Sequence, residues 1–201
     1  MISILTGDVI NSKDVNPKKW MPSLKAILSS YAVENVGWEI YRGDSFQIEI
    51  PVRKALSAAI KIKASIKKHA NLDVRIAIGI GKKTYKANKI TEANGSAFIY
   101  SGACFESLKK RTLAIKSSNA DFDYTMNTII SMALLTMNNW TENSALLIKS
   151  IFDNPALNQK ELAAFLHKSQ STISEGFKRS GYEEISNMLD FYQYKVKNTK
   201  W

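Results

Sequence analysis

Asp8 and Asp44 are the residues of this chain best placed to do chemistry. Each follows a glycine, in Thr6-Gly7-Asp8-Val9-Ile10 and in Arg42-Gly43-Asp44-Ser45-Phe46. The two aspartates are 36 positions apart, yet strands laid side by side in one sheet would bring them together. Paired aspartates are hard oxygen ligands suited to Mg²⁺ or Mn²⁺. A cation held there neutralises phosphate charge and lowers the pKa of an attacking hydroxyl. Gly7 and Gly43 would let the backbone approach a phosphate-bearing, nucleotide-type ligand, with Arg42 beside them. The basic run Lys82, Lys83, Lys86 and Lys89 would supply countercharge. Both aspartates also have a conformational reading: aspartate suits a Gly-Asp turn, and Asp8 can end a strand or cap a helix.

The elements that must position this pair are legible in the apolar spacing. Ile2, Ile4 and Leu5 predict a buried first strand that ends at Gly7-Asp8. Asn16-Pro17 opens a helix carrying Trp20, Leu24, Ile27, Leu28 and Tyr31 on one stripe. Val36, Trp38 and Ile40 alternate with other residues, as do Phe46, Ile48 and Ile50, so residues 36–50 predict a hairpin with a type II′ turn at Gly43-Asp44. A helix follows over about 52–70. Ala55, Ala59, Ile62, Ile66 and Ala70 form its stripe, and Arg53, Lys54, Lys61, Lys67 and Lys68 form a solvated face. Val74 to Gly81 reads as a central strand, residues 101–110 as a helix and 112–115 as a last strand. The order β-α-β-β-α-β-α-β predicts an α+β domain over residues 1–120, a ferredoxin-like antiparallel sheet with helices.

Composition shifts near Asp121, and residues 121–201 predict an all-α domain. Leu157 to His167, Lys168-Ser169-Gln170 and Ser171 to Arg179 form a helix-turn-helix pattern, with Leu162, Ala163, Leu166 and Ile173 spaced to join the two helices. Gln170, Ser171 and Thr172 would reach base edges of duplex DNA, and Lys178 and Arg179 would touch phosphate. Charge is distributed the other way. Residues 1–120 hold 20 Lys and Arg against 9 Asp and Glu, whereas residues 121–201 hold 8 against 9. The basic N-terminal part favours polyanions; the net −1 of the helical part, with Glu175 on the candidate recognition helix, leaves dimerisation or partner binding as its other use.

The remaining signals exclude more than they assign. The single cysteine, Cys104, rules out an internal disulfide and reads as a core side chain. No apolar run approaches the ~20 residues of a membrane span, and a cytoplasmic location is expected. Gly79-Ile80-Gly81-Lys82-Lys83-Thr84 lacks the spacing of a phosphate loop, because Ile76 and Lys83 stand at required positions. Arg42-Gly43-Asp44 as an adhesion tripeptide is accidental.

Four blocks carry a family resemblance: Gly7 to Ser12, Arg42 to Gln47, Arg75 to Gly81, and Gly95 to Gly102. Together with Trp140-Thr141-Glu142 and the helix-turn-helix pattern, they resemble the SatD family of bacterial proteins over most of the chain. More distantly, the first three blocks are similar to class III nucleotidyl cyclases and GGDEF palm domains. That similarity implies a two-metal site on Asp8 and Asp44, which would be the catalytic pair in an enzyme. It also aligns Arg75 with a strand arginine near the ligand. The hairpin reads Gly-Asp-Ser, without the paired acids of GGDEF proteins, and no base-selecting pair matches. Two readings follow. One is a DNA-binding regulator, expected as a homodimer, whose cyclase-like domain binds a metal and a nucleotide. The other is a cyclase-type enzyme whose helical module mediates dimers or partner binding.

Overall fold

The computed structural model describes all 201 residues. The chain is α+β, with a five-stranded sheet and eight α-helices. Strand β1 (Ile2–Ile10) leads through α1 (Pro17–Ser29) to β2 (Trp38–Tyr41) and β3 (Ser45–Ile50). Helix α2 (Ala55–Lys67), β4 (Asp73–Gly81), α3 (Ser96–Ser107) and β5 (Leu113–Lys116) complete the order expected from the apolar pattern. Strands lie in the order β2-β3-β1-β4-β5. β1 is antiparallel to both β3 and β4, but β5 is parallel to β4, so the sheet is mixed rather than antiparallel. The cause is the β4-α3-β5 connection. A strand-helix-strand crossover returns the chain in the same direction.

Side-chain alternation along β1 assigns the two faces. Leu5 and Val9 join the core under α1 and α2, whereas Ile4 and Thr6 meet α3, where Thr6 Oγ1 lies 3.0 Å from Ser101 Oγ. Helix α3 sits unusually close to β4. A methyl group at Gly79 would collide with Ala97 O and Ser101 N, so the glycine sets that approach. Gly7 serves the other face: a side chain there would collide with the Phe46 ring and Arg75 O. Its glycine is therefore required by core packing and not by a phosphate.

Three further expectations need correction. Strand β1 runs on to Ile10, so Asp8 is inside the strand, opposite Ser45 on one side and Arg75 on the other. The hairpin has a three-residue loop, Arg42 to Asp44, with positive φ at both Arg42 (53°) and Gly43 (89°). Two successive positive φ values are the type I′ pattern, not II′. The expected solvated face of α2 is partly covered: Arg53 and Lys54 are exposed, but Lys61, Lys67 and Lys68 are half-buried, because the helix lies between the sheet and α5 (Glu142–Asp153).

That covering creates a polar network inside the molecule. Lys63 is 1% exposed, and its Nζ donates to Asp73 Oδ1 at 2.7 Å and Thr112 Oγ1 at 3.1 Å. Lys67 Nζ donates to Asp73 Oδ2 at 3.1 Å and Asn138 O at 2.9 Å, and Thr112 Oγ1 donates to Asn138 Oδ1 at 2.6 Å. Burial pushes the Lys63 ammonium down to about 8 from the ordinary 10.5, with Asp73 pulling the other way. Between those values the unfolded chain binds more protons than the folded one, so this group makes stability rise with pH. Urea unfolding of the wild type, referenced to Lys63→Met, should therefore show stability gained from about pH 8 to 10. A difference that is flat or falling across that window contradicts the assignment.

Helices α4 (Ala120–Met137), α6 (Gln159–Phe165), α7 (Gln170–Ser180) and α8 (Tyr182–Asn198) follow, and no helix is long and apolar enough to cross a membrane. One core of 38 buried residues runs from Leu5 to Val196 and so includes side chains from both sides of the expected 120/121 division. Phe122, Met126 and Ile130 of α4 join Leu113 and Ile115 of β5 in that core, and the hydroxyl of Tyr192 in α8 donates to Val52 O at 2.6 Å. A separate cluster of six residues, Leu147, Ile151, Leu162, Ala163, Ile173 and Phe177, holds α5, α6 and α7 together. Trp140 ties this group to α4, its Nε1 donating to Ser180 O at 2.8 Å.

Candidate functional site

Asp8 and Asp44 do converge. Both line one open pocket of about 500 Å³, together with Arg75, Asn11, Ser12, Lys13 and Asp14. The sheet brings them there directly. Asp8 faces Ser45 across β1 and β3, and Val9 N donates to Asp44 O at 3.2 Å. On this part of the sheet α3 reaches only as far as Phe105, against Arg75, and the polar side chains beyond it line an open pocket.

The two carboxylates are held differently. Asp8 receives a bidentate fork from Arg75: Nε donates to Oδ1 at 2.9 Å and Nη2 donates to Oδ2. Those hydrogen bonds hold the Arg75 guanidinium above its ordinary pKa, and the Asp44 charge adds to the effect. The guanidinium also lies 5.3 Å from the centroid of the Phe105 ring. Asp44 accepts from the hydroxyls of Ser12 and Ser45. Tyr41 stands at the margin, where burial raises its pKa and the charges of Arg42 and Asp8 act on it in opposite senses.

Ser12 and Phe105 are among the residues that sequence reasoning did not assign to the site. Ser12 had a signal, because it follows the first strand by two residues and so returns beside the hairpin tip. Phe105 had none, since its place depends on the close approach of α3.

Other expected site residues lie elsewhere. Arg42 and Gly43 are exposed at the hairpin tip, next to the pocket and outside its lining. Lys82 is at the opposite end of the sheet. Gly81 pairs with Ile2 and Arg75 with Asp8, so six residues separate the two positions, on the order of 20 Å along a strand. Lys83 confirms that placement by pairing with Glu49 at 2.8 Å. The basic run after β4 therefore gives no countercharge to Asp8 and Asp44.

The donor set bears on which cation fits. No group of three or more His, Cys, Asp and Glu gathers anywhere in the chain, which disfavours a closed protein cage. Mg²⁺ uses few protein ligands, typically one or two carboxylates, and keeps water and phosphate oxygens for the rest. Asp8, Asp44 and the Ser12 hydroxyl are oxygen donors of that kind.

In the helical segment, α6 and α7 are joined by a four-residue turn, with Ser169 as N-cap of α7 accepting from Thr172 N at 3.1 Å. Gln170, Ser171, Thr172, Lys178 and Arg179 are all exposed. Ser171, Thr172, Glu175, Lys178 and Arg179 share one face by helical spacing. Glu175 forms an exposed ion pair with Arg179 at 3.5 Å. Cys104 is buried and its thiol is pushed up to about 11, in line with a core role.

No protein-family model, curated protein or solved structure matches this chain.

Proposed function

We propose that this chain is a DNA-binding regulator whose N-terminal sheet domain binds a divalent cation, Mg²⁺ or Mn²⁺, with a nucleotide-type ligand. The observation that carries the reading is the meeting of Asp8, Asp44 and Arg75 in one open pocket. The strand order β2-β3-β1-β4, reached through β-α-β-β-α-β connections, supports it. That order is compatible with the ferredoxin-like arrangement that the resemblance to cyclase and GGDEF palm domains implies. The resemblance to the SatD family runs through the same blocks.

A cation bound there would neutralise phosphate charge. Asp8 and Asp44 would hold it, and Ser12 keeps Asp44 oriented. Releasing Asp8 frees the Arg75 fork, whose geometry matches a phosphate as well as a carboxylate. Arg75 thus guards Asp8 without ligand and binds phosphate with it. Ligand-linked stabilisation tests this: a nucleoside triphosphate with Mg²⁺ should raise the unfolding temperature of the wild type and not of Asp44→Asn. The same aspartates would serve a cyclase-type enzyme. That reaction also needs base-selecting and transition-state groups, and of these the pocket offers only Arg75, so binding is the better-supported role.

In the DNA half of the reading, α6 and α7 act as a helix-turn-helix, used by a homodimer on two half-sites. Ser171 and Thr172 lead the exposed face of α7, and Lys178 and Arg179 contact phosphate. Fluorescence anisotropy with duplex DNA should show salt-sensitive binding. Lys178→Ala/Arg179→Ala should lower the slope of log K against log salt by about two. An unchanged slope would move the contact to the basic sheet domain.

A further inference from the structure

The groove between α5 and α7 is separate from the aspartate pocket and has a different chemistry. Its volume is about 230 Å³, room for roughly eight water-sized atoms at ~30 Å³ each. Leu146, Leu147, Leu166 and Ile173 form an apolar floor, and Lys168 and Arg179 stand on the rim. No Asp or Glu lines it, although residues 121–201 as a whole hold 9 acids against 8 bases. A basic rim over an apolar floor, inside a segment of net negative charge, is a specific local departure.

Gly176 keeps the groove in its present shape. A glycine inside a helix costs about 1 kcal/mol relative to alanine. A methyl group here would lie 2.6 Å from Leu147 Cδ2, and that side chain would have to move. Arg179 is available to a new partner. Its pair with Glu175 spans 3.5 Å, with side chains 65% and 69% exposed, and such pairs contribute little. The Arg179 fork matches a carboxylate, and the Leu and Ile side chains match an alkyl tail.

We propose that the groove between α5 and α7 binds a small monocarboxylate with an apolar tail of about six to eight carbons, the head group on Lys168 and Arg179 and the tail on Leu146, Leu147, Leu166 and Ile173. The site is independent of the aspartate pocket. Where α7 meets DNA as proposed above, its occupant withdraws Arg179 from phosphate.

The test follows the backbone amide signals of Thr172 and Gly176 by NMR while octanoate is titrated into the full chain without DNA or nucleotide. Octanoate should shift both signals saturably. Acetate, which lacks the tail, and octan-1-ol, which lacks the charge, should each bind at least ten-fold more weakly. Lys168→Gln/Arg179→Gln should weaken octanoate at least ten-fold while leaving the unfolding temperature unchanged, because both side chains are exposed. The proposal is overturned if octanoate gives no saturable shift, if octan-1-ol binds as well, or if the double variant binds octanoate unchanged. Because DNA is absent, failure here leaves the DNA reading standing.

Discussion

Asp73→Ala should destabilise the protein by about 3–5 kcal/mol, the largest single-residue effect expected outside the apolar core. Asp73 is the shared acceptor for Lys63 and Lys67, at 2.7 and 3.1 Å. Removing it leaves the Lys63 ammonium buried among Thr112 and the apolar side chains of α2. The chain then either keeps an unpaired buried charge or deprotonates Lys63. The compensating variant separates this cause from simple loss of contact. Lys63→Met/Asp73→Ala should recover most of the loss, because an apolar pair of similar volume needs no partner. Urea unfolding reads both. A loss under about 1 kcal/mol in the single variant, or no recovery in the double, would mean that the network contributes little. Asp73 lies two residues before Arg75 on β4, and Asn138 leads to Trp140 and so to Ser180 at the end of α7. The same network therefore connects the strand that carries the site to the helical segment.

Asp8→Asn should separate folding from ligand binding. The Asp8–Arg75 pair is part-exposed, at 21% and 37%, so its loss should cost only about 1–2 kcal/mol. The contact of Arg75 with the Phe105 ring does not involve Asp8 and should persist in the variant. A ligand at 100 times its Kd stabilises the wild type by about 2.7 kcal/mol. In a chain of this size, that is roughly a 5–10 °C rise in unfolding temperature. The variant should lose the whole rise. Calorimetry with and without Mg-nucleoside triphosphate checks it. A variant that unfolds outright, or one that keeps the full rise, would make Asp8 structural.

The order of elements was legible because each has a clear period: Trp20, Leu24, Ile27 and Leu28 all turn into the core of α1, and Phe46, Ile48 and Ile50 alternate inward on β3. The convergence of Asp8 and Asp44 was legible for the same reason, since a hairpin beside the first strand admits few registers. Pairing direction carries no periodic signal. Leu113 to Lys116 reads alike in a parallel or an antiparallel pair, and only the intervening α3 decides. The misplacement of Lys82 has a similar origin. Antiparallel strands of equal length put the end of one beside the start of the other, so proximity in sequence to Gly79 and Gly81 placed Lys82 away from Asp8. Lys63 was missed because lysine is ordinarily exposed. Its position next to Ile62 and three before Ile66 still lay within reach of the apolar stripe. Arg75 was found, but its present partner was not, because a register is needed to set it opposite Asp8.

Thermal unfolding of wild type and Asp44→Asn, with each nucleoside triphosphate in the presence of Mg²⁺, Mn²⁺ or EDTA, tests the central claim most directly. Asp44 is the better probe because only two serine hydroxyls hold it, so Asn leaves the fold intact. A metal-nucleotide site on Asp8 and Asp44 should give a cation-dependent rise of roughly 5–10 °C for at least one nucleotide near 100 times its Kd. EDTA should abolish that rise, and Asp44→Asn should lack it. No rise with any nucleotide, or a rise retained in Asp44→Asn, would contradict it and leave Asp44 a turn residue of the hairpin.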